Sequence, residues 1–205
     1  MKDLKEIIQE KLKIRSKTKV ITYSCQPKDK DELKEILKER LTKNKDANLN
    51  DIDVSEITDM ANLFDGLDPH KIDISEWDVF NVTNMDAMFN GCKNFNSDLS
   101  KWDVSNVKNM EYMFSYCENF EGEGLENWNV SNVEDMGYMF FYCTNFNCNL
   151  SNWNVSNVTY MSCMFQCCTN LNADLSKWNV SKVKDMFGMF NRCESLTNKP
   201  SWYKK

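Results

Sequence analysis

A tract of about 25 residues recurs down most of this chain and constrains its fold more than any other feature. One copy begins at residues 102–107 (Trp-Asp-Val-Ser-Asn-Val) and continues with apolar residues at fixed intervals. The tryptophans at the head of the copies stand 25 or 26 residues apart: Trp77, Trp102, Trp128, Trp153 and Trp178. A fixed period of this length is typical of stacked-repeat proteins, in which each unit buries its apolar face against its neighbours.

The apolar spacing within one copy predicts a short helix. Met110, Met113, Phe114 and Cys117 are spaced i, i+3, i+4 and i+7, which places them on one face of a helix of about two turns. So short a helix is not stable in water alone, and it must be held by stacking. Residues 99–107 have an extended character. We therefore expect short parallel strands on one face of the stack and short helices, partly 3₁₀, on the other.

The N-terminal segment does not share the repeat. Two apolar stripes predict amphipathic helices: Leu4, Ile7, Ile8 and Leu12 in the first, and Leu33, Ile36, Leu37 and Leu41 in the second. Asp29 or Asp31 is the expected N-cap of the second helix, and a short β-prone run lies between the two. We predict an α-β-α capping segment over residues 1–44 and a repeat region over residues 45–205, with a short polar tail in which Trp202 covers the last coil.

Charge is divided unevenly along the chain. Residues 1–44 carry 13 basic and 8 acidic side chains, and residues 45–205 carry 12 basic and 23 acidic ones, so the repeat region has a net charge of −11. An acidic surface is a poor binder of phosphate backbones and a good match for a basic protein surface. We therefore expect no direct contact with nucleic acid. No apolar run approaches the length of a membrane span, and no membrane contact is expected.

The cysteines form a row rather than a metal motif. Five of the nine stand three residues after each recurring phenylalanine: Cys92, Cys117, Cys143, Cys168 and Cys193. Leu67 takes this place in the divergent first copy, which indicates a small buried packing site for reduced thiols. Cys163 and Cys167 lie off this row, and a metal site, a redox site or a reactive thiol there is conceivable. We predict no metal and no cofactor, since the chain has no CxxC pair and a single distant histidine.

The repeated pattern resembles a known family. The sequence pattern is similar to the BspA-type leucine-rich-like repeat, a domain of unknown function first noted in mycoplasma lipoproteins. It reads Trp-Asp-Val-Ser-Asn-Val-x-x-Met-x-x-Met-Phe-x-x-Cys-x-x-Phe. The resemblance covers residues 49–198 in six copies. It implies an α/β fold: a right-handed, leucine-rich-repeat-like solenoid of about six 25-residue coils, often found in bacterial surface proteins that bind host components. It transfers no catalytic residue.

Candidate binding residues are the aromatics that do not recur in every copy. Aligning the copies places them in shared columns outside the expected core stripe: Tyr112, Tyr116, Tyr138, Phe141, Tyr142 and Tyr160. Such side chains dominate interface hot spots, although tyrosines at a core margin also pack on one another without further function. Recurring acids such as Asp98 and Asp103 are interpreted as turn-forming groups rather than catalytic pairs.

These observations predict a non-enzymatic protein-binding module, monomeric and cytoplasmic, whose partner is another protein with a basic surface. No Gly-rich phosphate loop, nucleophile elbow or Cys–His pair is visible. Two alternatives remain open. The acidic repeat region favours an inhibitor of a nucleic-acid-processing enzyme, for example a defence nuclease. The family resemblance favours a surface adhesin, which would lie at the cell surface and would require an export signal that this sequence does not show.

Overall fold

Among the described residues, one α-helix precedes the repeats. The computed structural model describes residues 21–203, so the first predicted helix, at residues 4–12, lies outside the described residues. Helix α1 spans Lys30–Lys43, and the carboxylate of its N-cap Asp29 accepts the Glu32 amide proton. Its buried side chains are Leu33, Leu37 and Leu41, whereas Ile36 is only partly buried. The second predicted helix is confirmed, with Asp29 as its cap.

The predicted α/β repeat fold is wrong. Besides α1, a three-residue 3₁₀ turn at Leu125–Asn127 is the only helix among residues 21–203. The described residues contain no sheet, and strand pairing is limited to isolated parallel bridges. One row of bridges joins equivalent residues of six successive copies: Asp59, Asn84, Asn109, Asp135, Tyr160 and Asp185. The repeats are therefore coils of turns that lie side by side, and the leucine-rich-repeat-like solenoid of strands and helices does not describe them.

Alternating backbone hydrogen bonds explain why the predicted repeat helix does not form. In the third of the six copies, every second amide closes a turn within its own coil: Met113 to Met110 O (3.3 Å), Ser115 to Tyr112 O (2.9 Å) and Cys117 to Phe114 O (3.0 Å). The amides between them donate to the next coil: Tyr112 to Gly137 O (2.9 Å), Phe114 to Met139 O (2.9 Å) and Tyr116 to Phe141 O (2.7 Å). An α-helix would direct all these amides to carbonyls four residues back in its own segment.

This series of turns still buries the residues that the spacing selects. Met110, Met113, Phe114 and Cys117 are each 0% exposed. The same i, i+3, i+4, i+7 pattern thus describes the inward face of consecutive turns as well as that of a helix. The periodicity identifies the core correctly but not the backbone conformation.

Aromatic ladders run through the core from coil to coil. Phe114 stacks on Phe89 at 5.5 Å between ring centroids and on Phe140 at 5.7 Å. Trp102 is 6.4 Å from Trp77, and the two rings are nearly parallel. Because the pyrrole nitrogen of each buried tryptophan needs an acceptor, it donates to a carbonyl of the preceding coil, as Trp102 does to Ile74 O at 3.0 Å. The ladders make each coil depend on its neighbours.

The ladder ends where the tail folds over it. Trp202 stacks on Trp178 at 6.3 Å, and its ring nitrogen donates to Leu175 O at 2.9 Å. This confirms that Trp202 covers the last coil. In earlier coils, four amides donate to carbonyls of the next coil. Their equivalents in the last coil have no acceptor within the described residues: Met186, Gly188, Phe190 and Arg192.

All nine cysteines are free, and the cysteine row is buried. The Cys143 thiol donates to Phe114 O, with a sulfur–oxygen distance of 2.9 Å, and the other four members make the equivalent contact. Burial raises the pKa of Cys92 and of Cys193 to about 12 and holds the pKa of Cys143 well above its usual range. The row is thus a set of neutral packing groups that also satisfy backbone carbonyls.

Helix α1 covers the first coil. Lys30 forms an ion pair with Asp59 at 2.6 Å, and the Lys34 ammonium donates to Asn62 O at 3.1 Å. None of the helices among the described residues has the length and apolar composition that a membrane crossing requires. The predicted division between residues 1–44 and residues 45–205 stays a prediction.

The core ladder yields a stability prediction. Replacing Phe140 by alanine removes a fully buried ring that contacts its neighbours in both adjacent coils, and we expect the free energy of unfolding to fall by about 3–5 kcal/mol. The matched control is Phe187, which is 77% exposed, and Phe187→Ala should change the free energy of unfolding by less than about 0.5 kcal/mol. Urea unfolding measures the free energy of unfolding of both variants. Equal losses in the two variants would contradict the ladder.

Candidate functional site

Five of the six predicted binding residues lie together. The rings of Tyr112 and Tyr138 stack at 4.7 Å, and those of Tyr116 and Tyr142 stack at 5.3 Å. Phe141 stands edge-on to three of them, 5.2 Å from Tyr116 and Tyr142 and 5.6 Å from Tyr138. We call these five residues the aromatic surface. Two neighbouring coils supply all of its members, because equivalent columns come side by side when the coils stack.

Tyr160 lies apart from this group. It occupies a bridge position between Asp135 and Asp185, and its side chain is 45% exposed. Its ring contacts none of the five within the described residues. Tyr116 is the most open member of the aromatic surface at 43% exposed, and the other four are half-buried. The rest of the chain therefore covers the aromatic surface only in part.

The four tyrosines of the aromatic surface share an unusual backbone conformation. Their φ angles are positive: 53° at Tyr112, 55° at Tyr138, 60° at Tyr116 and 61° at Tyr142. Each stands third in a turn, where glycine or asparagine is normally favoured. Left-handed backbone costs a side-chain-bearing residue about 1–2 kcal/mol.

The fold requires this conformation but not the tyrosines. The same two columns have positive φ in every copy, and the other copies fill them with different residues: Asn62, Ala87, Cys163 and Gly188 in one, and Gly66, Gly91, Cys167 and Arg192 in the other. Residues other than tyrosine, from glycine to arginine, therefore complete a coil at these positions. The aromatic surface is a local addition to two copies.

Sequence reasoning missed three carboxylates beside the aromatic surface. Asp86, Glu111 and Asp135 are half-buried and come from successive coils. No ion pair among the described residues includes any of the three. Burial raises the pKa of each, and the charge of Asp135 raises the pKa of Asp86 and Glu111 further. We call these residues the acidic row.

A signal in the sequence marks two of the three residues of the acidic row, Asp86 and Glu111. Recurring acids do form turns, as predicted: the Asp98 carboxylate accepts the Ser100 amide proton at 2.8 Å, and Asp103 accepts that of Ser105 at 3.0 Å. Asp86 and Glu111 instead stand in a column that other copies fill with uncharged residues: Ala61, Gly137, Ser162 and Phe187. That lack of recurrence separates them from the turn-forming acids.

Gly137 is buried and lies close to the acidic row. A Cβ atom at this position would be crowded, at 3.3 Å from Oδ1 of Asp135 and 3.8 Å from Oε1 of Glu111. The Tyr112 amide donates to Gly137 O at 2.9 Å, so Gly137 also adjoins the aromatic surface. Burial raises the pKa of Tyr112, and the negative charge of Glu111 raises it further. The acidic row and the aromatic surface are therefore neighbours.

Other candidate features lie elsewhere. A polar cleft of about 950 Å³ lies at residues 121–124 and is lined by Glu121, Glu123, Glu126 and Asn147 among others. Cys163 and Cys167 are 5% and 4% exposed, so neither is an open surface thiol. Among residues 21–203, no group of three or more histidine, cysteine or acidic side chains is arranged to hold a metal ion.

Comparison with known proteins gives a family. Residues 32–124 and 116–204 match the family described as "Mycoplasma protein of unknown function, DUF285". These two matches cover most of the chain, which belongs to this family and is a repeat domain of unknown function. The finer BspA-type assignment is not confirmed by them. Comparisons with curated proteins and with solved structures gave no match.

The raised carboxylate pKa values yield a pH prediction. A carboxyl whose folded pKa is raised stabilises the fold while protonated, and this contribution is lost as the pH rises through the folded pKa. The double variant Glu111→Gln/Asp135→Asn should therefore be more stable than the parent chain at pH 7. Asparagine already stands in the Asp135 column at Asn84 and Asn109, where it keeps the turn-closing hydrogen bond.

Thermal unfolding at a series of pH values checks this prediction. The advantage of the double variant should shrink toward zero below about pH 4, where the parent carboxyls are protonated in both states. Asp103→Asn is the control, because it removes an exposed acid whose column holds asparagine at Asn129. An advantage that persists unchanged at low pH would contradict the assignment of unpaired, partly buried charge.

Proposed function

We propose that this DUF285 chain is a non-enzymatic protein-binding module that docks another protein on its aromatic surface. The observation that carries the proposal is the clustering of four tyrosines at positions of positive φ that glycine, alanine, asparagine, cysteine or arginine fill in the other copies. Backbone strain of this kind clusters at functional sites. Tyrosine is also among the residues most enriched in interface hot spots.

The energetics support a role outside the fold. Each tyrosine bears about 1–2 kcal/mol of conformational strain, and each aromatic pair returns about 0.5–1.5 kcal/mol beyond its burial. These two terms nearly offset each other, so the stacking energy alone does not explain why tyrosine stands at these positions. The exposed part of each ring is available to bury further area against a partner.

The non-enzymatic part of the proposal rests on chemistry. The sequence shows no nucleophile–base pair and no phosphate-binding loop, and its recurring acids close turns. The deeply buried thiols of the cysteine row are held neutral by their raised pKa, which makes them poor nucleophiles. Binding is the activity that the remaining surface features support.

An acidic inhibitor of a nucleic-acid-processing enzyme is the second candidate, and the unpaired acidic row favours it. Such an inhibitor would use the charge of the whole repeat region rather than the tyrosines. Removing the aromatic rings would then leave binding unchanged, whereas raising the ionic strength would abolish it. The two candidates therefore differ in whether removing the aromatic rings or raising the ionic strength weakens the complex.

The double variant Tyr116→Gly/Tyr142→Gly tests the proposal. Glycine stands in this column at Gly66 and Gly91, where a Cβ would meet no neighbour, and it relieves the strain that alanine would retain. We expect the thermal midpoint to stay within a few degrees of the parent value. We also expect loss of the proteins that the parent chain captures from a lysate of its native cells.

Phe187→Ser is the matched control, since it removes the most exposed aromatic ring without touching the aromatic surface. It should capture the same proteins as the parent chain, as identified by mass spectrometry and verified one at a time with purified partners. Undiminished capture by the folded double glycine variant would refute docking on the aromatic surface.

A further inference from the structure

We infer that the last coil is a second docking surface, which binds an acidic segment of another polypeptide by pairing the carbonyls of that segment with its own unpaired amides. We call this surface the open edge. It consists of the amides of the last coil that have no acceptor, with the side chains beside them: Met186, Gly188, Phe190 and Arg192. The inference is separate from docking on the aromatic surface, which two other coils supply.

The coil before the last one shows what the open edge lacks. Its alternate amides donate to carbonyls of the last coil: Met161 to Asp185 O (2.8 Å), Cys163 to Phe187 O (2.8 Å), Phe165 to Met189 O (3.0 Å) and Cys167 to Asn191 O (2.8 Å). The four equivalent amides of the open edge find no acceptor among residues 21–203. Donors at alternate residues match the carbonyls along one side of a polypeptide backbone, so a segment of main chain can pair with all four.

Apolar side chains of the last coil are also left partly uncovered. In the coil before it, Val155, Val158 and Met161 are each at most 1% exposed. Their equivalents in the last coil are only partly buried: Val180, Val183 and Met186. The C-terminal tail contacts the ends of the aromatic ladders instead, since Trp202 stacks on Trp178 and Tyr203 stands edge-on to Phe190. A bound segment would remove further apolar area from water, as the next coil does elsewhere.

The charge of the last coil selects an acidic occupant. Residues 175–203 carry five basic and two acidic side chains, whereas residues 45–174 carry five basic and 21 acidic ones. Lys184 and Arg192 are exposed, and no ion pair among the described residues includes either of them. Basic side chains beside amide donors attract carboxylates. An acidic segment therefore complements the open edge in both charge and hydrogen bonding.

A second copy of this chain fits the open edge less well. The matching carbonyls of a second copy lie at residues 59–65 of its first coil, which helix α1 covers with Lys30 paired to Asp59. Two open edges placed face to face would oppose donors to donors and basic side chains to basic side chains. A nucleic acid is disfavoured by the acidic coils that adjoin the open edge. The occupant that remains is a segment of a different polypeptide.

Amide hydrogen exchange, followed by NMR on the full chain, tests whether the edge is open. The four amides of the open edge should exchange at least about ten-fold faster than their equivalents in the coil before. Equal protection in a dilute sample would show that the chain already covers the edge, and would overturn the inference. Protection that appears only as the protein concentration rises would show a second copy there, and would also overturn it.

Selection from a random peptide library tests the occupant. One segment on one edge buries less area than a stable interface does, so we expect a transient contact that washing removes from a lysate capture. Phage-displayed peptides are therefore selected on the parent chain and depleted on Lys184→Glu/Arg192→Gly. Glutamate already stands in the first of these columns at Glu134, and glycine in the second at Gly66 and Gly91.

We expect the recovered peptides to be enriched in aspartate and glutamate. A synthetic copy should slow hydrogen exchange at the four amides of the open edge and lose at least about ten-fold in affinity toward the depleting variant, as measured by calorimetry. Lys71→Asn/Lys108→Glu is the control, because it changes the net charge equally at exposed positions of inner coils. It should change the affinity by less than about two-fold.

Four results would overturn the inference. They are equal losses of affinity in the two double variants, peptides without acidic enrichment, peptides that leave exchange at the four amides unchanged, and failure to recover any peptide. Tighter binding of a single-stranded oligothymidylate at the same amides would assign the open edge to nucleic acid and overturn it as well. Tyr116→Gly/Tyr142→Gly should bind the peptides as the parent chain does, so failure of the open edge is distinguishable from failure of the aromatic surface.

Discussion

Backbone amides in each coil alternate between two partners, and the rest of the structure depends on this alternation. One set closes tight turns within the coil, and the other reaches the carbonyls of the next coil. Turns alone would be too short to persist in water, and inter-coil bonds alone would not fix the backbone of a coil. Together they satisfy the polar groups of a chain that buries most of the methionines and phenylalanines of its repeats.

This alternation also explains the unusual tyrosines. Two turns in each coil place a residue at positive φ, so two columns run along the stack in left-handed conformation. Side chains there have no role in closing the coil, and the copies differ freely at these positions. Tyrosine in two adjacent copies therefore builds a patch of rings without disturbing the core beneath it. A repeat of this kind separates residues that hold the fold from residues that vary on its surface.

The sequence reveals the core better than the backbone. Phe140, Cys143 and Trp202 lie where periodicity places them, because burial depends on which side chains face inward. Secondary structure is misassigned because a helix and a series of turns present the same spacing. The aromatic surface emerges from aligned columns, whereas the position of the acidic row beside Gly137 does not, since it depends on distances between residues of neighbouring coils.

Scalar couplings across hydrogen bonds test the alternation most directly. On isotopically labelled protein, NMR should detect coupling from the Tyr112 amide nitrogen to the Gly137 carbonyl carbon and from the Phe114 amide nitrogen to the Met139 carbonyl carbon. It should also detect coupling from the Ser115 amide nitrogen to the Tyr112 carbonyl carbon. Couplings from Phe114 and Ser115 to carbonyls four residues earlier would instead show a helix and contradict the account.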